Sequence, residues 1–416
     1  GTTNHNAAVT VTNADYTAAE LATINSGTSG AITLNTADTA LSGTAANLAA
    51  AFAGTVTEHT GTVTITDAPS VAELKAINAA TTGAITLDVT NGALSGTAAD
   101  LVLAFDGTVT EHTGTVTITD APTVSELKAI NAATTGAITL NVTDGALSGT
   151  SADLVLAFAG TVTEHTGTVG ITNADYTVAQ LKTINAASTG AITFTTATTA
   201  LSDTSANLAV ALNGTTNHNA AVTVTNADYT AAELATINNG TAGAITLNTV
   251  STALSGSSSD LAAAFAGTVT EHTGGVTITN ADYTVTELKA INAGTTGAIT
   301  LNTTNTALSG TAANLVLAFA GTVTEHTGTV TITDAPNVTQ LKTINAATTG
   351  AITLDVTNGA LSGSSSDLAL AFAGTVTEHT GTLEITDANG VDITATDITD
   401  INGTNTGTIT VTNTID

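Results

Sequence analysis

Residues 63–77 read Val-Thr-Ile-Thr-Asp-Ala-Pro-Ser-Val-Ala-Glu-Leu-Lys-Ala-Ile, and they hold the fold in small. Val63 and Ile65 alternate with Thr64 and Thr66, the period-two pattern of a half-buried strand. Asp67-Ala68-Pro69 breaks that strand. Ser70-Val71-Ala72-Glu73 has the form of a capping box, in which the Ser hydroxyl and the Glu carboxylate satisfy two orphan N–H groups. Val71, Leu74 and Ile77 then make the apolar stripe of a short helix, which Asn78 and the Gly83 region end.

Reading on, Ala84-Ile85-Thr86-Leu87 is a second strand. Thr97-Ala98-Ala99-Asp100 opens a second helix with Leu101, Ala104 and Phe105 on its inner face, and Gly107 stops it. Thr108-Val109-Thr110-Glu111 is a short third extended piece. His112-Thr113-Gly114 turns the chain into Val116, where the pattern starts again.

The first strands open at Val9, Val63, Val116, Val169, Val222, Val276, Val330 and Leu383, so the period is 53 or 54 residues. The caps recur as a column: Thr17/Glu20, Thr123/Glu126, Thr177/Gln180, Thr230/Glu233, Thr284/Glu287 and Asn337/Gln340. Residues 1–25 return unchanged at 214–238, which points to duplication of four-repeat blocks. Self-similarity at one period marks a repeat array rather than a globular enzyme. Helices this short do not stand alone in water, so the partners of each element lie in the next repeat. Strands joined through a helix favour parallel pairing and a right-handed crossover.

The expected fold is an α/β repeat solenoid with parallel stacked strands, short helices and two strand–helix coils per repeat. The first strands of successive repeats are expected to share one parallel sheet. About 15 coils at ~4.8 Å each would make a rod roughly 70 Å long. Residues 1–8 read as the tail of a preceding repeat, 9–382 as a seven-repeat solenoid, and 383–416 as a divergent C-terminal repeat. The rival arrangement, a string of independent domains, would need staples at that size. Cysteine is absent, so disulfide staples and thiolate metal sites are excluded.

The chain has 416 residues, 34 acidic residues against five lysines, no arginine, and a formal charge of −29. Such a charge repels phosphate and anionic lipid, which argues against nucleic-acid and membrane partners. No apolar run approaches the ~20 residues of a membrane span. The absence of Met predicts a processed product or a piece of something longer. No nucleophile–base pair, phosphate loop or His/Asp cluster breaks the repeat symmetry, so no enzyme activity is expected.

Three columns could carry chemistry. The histidines His5, His59, His112, His165, His218, His272, His326 and His379 fall one per repeat, six of them after Glu. Two coils per repeat would set neighbours ~10 Å apart, against the ~2 Å reach of a zinc ligand, so a metal ladder gives way to turn histidines bonded to backbone. Lys75, Lys128, Lys182, Lys289 and Lys342 share one helix position and read as a solvated column. The loops after the first strands alternate between Asp-Ala-Pro and Asn-Ala-Asp-Tyr, as helix entry requires. Asp and backbone oxygens also cluster in these loops, one or two carboxylates each, as a calcium site would use; the better local calcium candidate is Asp387, Asn389 and Asp392, around a Gly turn but without full EF-hand spacing; no other cofactor is expected. Outward threonines such as Thr62, Thr64 and Thr66 would offer a hydroxyl face for ice or O-glycans.

The pattern VTIT-DAP-TVSELKAINAATTGAITL…LSGTSADLVLAFAG resembles tandem repeats in very large cell-surface proteins of cyanobacteria and other marine bacteria. Related arrays occur in adhesin-like and haemolysin-type proteins. The resemblance spans essentially the whole chain and implies secretion, a surface or matrix role and, in some members, calcium. The GGxGxDxUx nonapeptide of calcium β-rolls is missing here.

The function expected is a non-enzymatic extracellular structural element: a subunit of a surface filament, sheath, surface layer or adhesin stalk. The alternative is an extracellular binding module for calcium, glycan or ice on a repeat scaffold. The expected partner is the protein itself, in a head-to-tail homopolymer, with glycans or the cell surface as further partners. The expected interface joins Thr2, Thr3, Val9 and Val11 to Thr408, Ile409 and Val411 of the next copy, closed by the divergent insert around residues 387–396.

Overall fold

The computed structural model describes residues 5–388, 391 and 393–412. The strand at Val63–Ile65 and the helix at Val71–Ala80 form where the alternation and the capping box place them. Ser70 Oγ accepts from Glu73 N at 3.3 Å, and Ser70 N donates to Glu73 Oε2 at 2.9 Å. Val63, Ile65, Leu74 and Ile77 are fully buried. The same capping box recurs at every position expected for it, and Thr394 and Asp397 build another in the divergent C-terminal repeat.

After the helix come the second strand Ile85–Leu87, a third strand Leu94–Gly96 and the second helix Ala98–Ala104. Gly107 follows with φ +71°, the left-handed conformation that glycine takes without strain. The third strand is absent from the sequence reading. The extended piece expected at 108–111 is reduced to a single bridge, Ile85 to Val109.

Every strand pairing is parallel, in small sheets of two or three strands. From Val63 on, a first strand lies at the centre of its sheet, between the third strand of the preceding repeat and its own second strand. Leu41, Val63 and Ile85 are in register and point inward, while Ser42, Thr64 and Thr86 point outward. The expectation of first strands stacked in one sheet is therefore corrected: Val63–Ile65 and Val116–Ile118 belong to different sheets. The cause is the long path between them. The chain leaves the second strand, turns and lays down the third strand before entering the second helix, so two segments separate successive first strands.

Glycine sets how closely the coils approach. A Cβ at Gly83 would lie 1.8 Å from the carbonyl oxygen of Gly61, and one at Gly136 would lie 1.7 Å from that of Gly114. No side chain fits there. The chain forms two compact units, one built on residues up to Thr199 with Gly214–Asn217, the other on Ala200–Asn213 with residues from His218 onward. Within a unit, helices of consecutive coils pack side by side, as Val71–Ala80 does on Ala45–Ala51 and on Ala98–Ala104.

Candidate functional site

Each residue column that could carry chemistry reaches across to an adjoining coil. His59 is fully buried; its Nε2 faces the carbonyl oxygen of Thr39 at 2.7 Å, and its Nδ1 lies 3.3 Å from Thr81 Oγ1. A carbonyl only accepts, so Nε2 carries the proton. His112, His272, His326 and His379 repeat the arrangement on Gly92, Thr252, Thr306 and Gly359 at 2.7–2.8 Å. Burial holds the imidazoles of His59, His112, His165, His272 and His326 below the usual histidine range. His59, His112, His272, His326 and His379 are thus backbone-bonded, whereas the ring nitrogens of His165 are buried without such a bond, and no group of three or more His, Cys, Asp or Glu suited to a metal exists among the described residues.

Asn78 does more than end its own helix. Its Nδ2 donates to the carbonyls of Leu103, Ala104 and Asp106, closing the C-terminus of the next helix at 2.6–3.3 Å. Asn131, Asn292 and Asn345 do the same one, four and five repeats on. Sequence reasoning missed this role; the signal was an Asn at one helix position in all eight repeats, from Asn25 to Asn402, more than helix termination needs.

The loop residue after each first strand caps the second helix of the preceding repeat. Asp67, Asp120 and Asp334 Oδ1 accept from the N–H of Ala45, Ala98 and Ala312 at 2.7–2.8 Å. Where Ser151, Ser205 or Ser258 opens that helix, asparagine replaces aspartate, whereas Ser365 keeps an aspartate, Asp387. Asn173, Asn226 and Asn280 accept from the N–H of Ser151, Ser205 and Ser258, and donate Nδ2 to the same serine hydroxyl. The hydroxyl in turn donates to Gln180, Glu233 or Glu287, the carboxyl-end partner of the next capping box. In the six interior repeats from Asp67 to Asp334 the alternation of Asp-Ala-Pro with Asn-Ala-Asp-Tyr thus records an Ala or Ser one coil away.

The lysines are half-exposed as expected, yet they are not merely solvated. Lys75, Lys128 and Lys342 meet Asp100, Asp153 and Asp367 at 2.5 Å, and Lys289 meets Asn314. These contacts hold the three carboxyls below the usual range.

Of the calcium candidate, Asp387 is buried and its Oδ2 accepts from Ser365 N at 2.9 Å, capping a helix. Asn389 and Asp392 lie outside the described residues. Of the expected interface, Thr2 and Thr3 also lie outside them. Val9 is half-buried and Val11 buried, in a strand that among the described residues pairs with Ile32–Leu34 alone. Thr408 and Val411 are exposed and Ile409 half-buried, beside Leu383–Ile385. Five of the seven second helices carry one exposed aliphatic side chain, Leu103, Leu156, Val210, Leu317 and Leu370, at about half exposure.

Fold and site together define a tandem α/β-repeat protein whose recurring polar groups bind coil to coil. No protein-family model matches the chain, and no curated protein matches it. No described helix is long and apolar enough to cross a membrane.

Proposed function

We propose that the protein is a non-enzymatic extracellular structural element, each unit winding as an α/β solenoid of two coils per repeat and the chain assembling with copies of itself. The observation that carries this reading is the fate of the polar columns. His59, His112, His272, His326 and His379, Asn78 and its equivalents, and the Asp67 or Asn173 residues bond to backbone of an adjoining coil. Nucleophiles, bases and ligands need free lone pairs or protons, and these groups have theirs engaged. The acidic surface keeps such an element soluble and away from polyanions. Electron microscopy of the concentrated protein tests the reading: filaments or sheets support it, and dispersed single particles at every concentration contradict it.

A second reading, a glycan- or ice-binding module, draws on the outward hydroxyl rows. Ser42, Thr64 and Thr86 stand side by side, as do Ser95, Thr117 and Thr139, and Ser309, Thr331 and Thr353. Strands ~4.8 Å apart set the hydroxyls at a regular spacing. Thr86→Lys and Thr139→Lys would abolish such binding without altering assembly, which separates the two.

A further inference from the structure

The sequence holds six Asn-Gly pairs, beginning at Asn91, Asn213, Asn239, Asn358, Asn389 and Asn402. Their surroundings differ. Asn239 and Asn402 lie inside the helices Ala231–Gly240 and Ala395–Gly403, whose backbone ladder fixes the following amide. Asn213 ends the helix Ser205–Leu212 and gives its own N–H to the Ala209 carbonyl. Asn389 lies outside the described residues. Asn91 and Asn358 share one position in two repeats, in the loop between the second strand and the third. Both are exposed. Among the described residues, neither their side chains nor the N–H groups of Gly92 and Gly359 are hydrogen-bonded.

Packing demands the glycine. A Cβ at Gly92 would lie 2.9 Å from Ala68 Cβ, and one at Gly359 3.2 Å from Ala335 Cβ. Both alanines belong to the short Asp-Ala-Pro loops. With no side chain on the second residue of the pair, its backbone nitrogen can approach the asparagine carboxamide closely. The carbonyls on either side are held. Thr90 O accepts from Thr113 N and Gly114 N at 2.9 and 3.1 Å, and Gly92 O accepts from His112 Nε2 at 2.7 Å. Thr357 O accepts from Thr380 N and Gly381 N at 2.8 and 3.1 Å, and Gly359 O accepts from His379 Nε2 at 2.7 Å. Asp144-Gly145 occupies the same position with an acid in place. Its loop keeps the first anchor, since Thr143 O accepts from Thr166 N and Gly167 N at 2.8 and 3.0 Å.

We infer that Asn91 and Asn358 are sites of spontaneous covalent modification, at which asparagine closes on the following glycine and reopens as aspartate or isoaspartate. The Gly92 nitrogen attacks Asn91 Cγ. Its proton leaves with the side-chain amino group as ammonia, and a cyclic imide remains. Water then adds to one imide carbonyl. Breaking the new bond from nitrogen to Cγ gives aspartate; breaking the original main-chain bond gives isoaspartate. One ammonia leaves and one water enters, with no oxidant or reductant. The two products differ in consequence. Aspartate restores the backbone and matches Asp144. Isoaspartate routes the main chain through Cγ, which inserts a methylene between two anchored carbonyls. The loop then cannot keep both anchors, and the coil contact at Thr113 and Gly114, or at His112, opens. Each event also adds a negative charge to an acidic chain. None of this depends on what the chain assembles with.

The test holds the full chain at neutral pH for weeks, beside a sample unfolded in urea. Both are mapped by peptide mass spectrometry that resolves isoaspartate from aspartate. In the folded chain Asn91 and Asn358 are expected to convert at least about tenfold faster than Asn239 and Asn402, whereas in urea all four convert at similar rates. Equal rates at the four sites in the folded chain would overturn the inference. So would Asn91 and Asn358 left intact once the unfolded chain has converted. A second measurement separates the products. Exchange of the Thr113 and Gly114 amides should speed by about tenfold or more in the fraction with isoaspartate at position 91, and stay within about threefold of the starting chain in Asn91→Asp. Exchange in the isoaspartate fraction no faster than in Asn91→Asp would overturn the opening of the coil by the longer backbone.

Discussion

Asn280 and Asp120 occupy the same place in two repeats and differ by one atom because their partners differ. Asn280 gives a proton to the Ser258 hydroxyl, whose own proton goes to Glu287; Asp120 faces Ala98 and has only an N–H to accept. Asn280→Asp removes a donor and sets a second carboxylate beside Glu287. We expect a loss of about 1–2 kcal/mol, partly recovered by adding Ser258→Ala, read from denaturant midpoints. Equal stability of wild type and Asn280→Asp would contradict the pairing. The histidines impose a pH dependence. An imidazole held below its usual range stays neutral in the fold while the unfolded chain takes up a proton near its ordinary value of 6.5. The stabilisation is complete above that value and is lost as pH falls through it toward the folded values. The urea midpoint should therefore be level above about pH 7.5 and fall below about pH 6, less steeply in His59→Gln. A midpoint flat down to pH 5 would show that these sites do not disfavour the proton.

At the scale of the element, Leu127 and Lys128 are neighbours on one helix with opposite fates. Leu127 is fully buried, whereas Lys128 is about two-fifths exposed and paired with Asp153. Leu127→Asp should cost more than about 4 kcal/mol or abolish folding, and Lys128→Asp about 1 kcal/mol, by thermal melting. Equal losses would mean the helix is rotated from the position described. Gly83→Ala should cost more than about 3 kcal/mol, since its Cβ would displace the Gly61 carbonyl and part the coils; a near-neutral result would contradict the close approach. The first strand and both helices were legible because alternation and capping boxes are local signals, carried by residues such as Val63, Ile65, Ser70 and Glu73. The strand Leu94–Gly96 was not. Three residues with serine and glycine have no strand propensity, and the strand exists because Val116–Ile118, one coil later, pairs with it. Even its glycine is explained only in three dimensions, where a Cβ on Gly96 would sit 3.2 Å from a methyl of Val71. The carbonyl partners of His59 and Asn78, 20 and 25 or more residues away, escaped for the same reason.

At the scale of the whole molecule, the two units carry the same polar columns and apolar rows, so stability should be a sum of near-identical coil contacts. Metal should matter little to that sum. Chelation of divalent cations is expected to lower the melting temperature by a few degrees at most, with any change confined to residues 387–392. Collapse of the entire chain on chelation would show that the repeat loops bind calcium. The proposal that the chain is a structural element that joins to itself stands or falls on association. Sedimentation velocity over a wide concentration range, on the intact chain and on one lacking residues 383–416, tests it most directly. The account predicts a growing series of oligomers for the intact chain and a single folded species for the shortened one. An intact chain that stays monomeric at high concentration, or a shortened one that still polymerises, would contradict it.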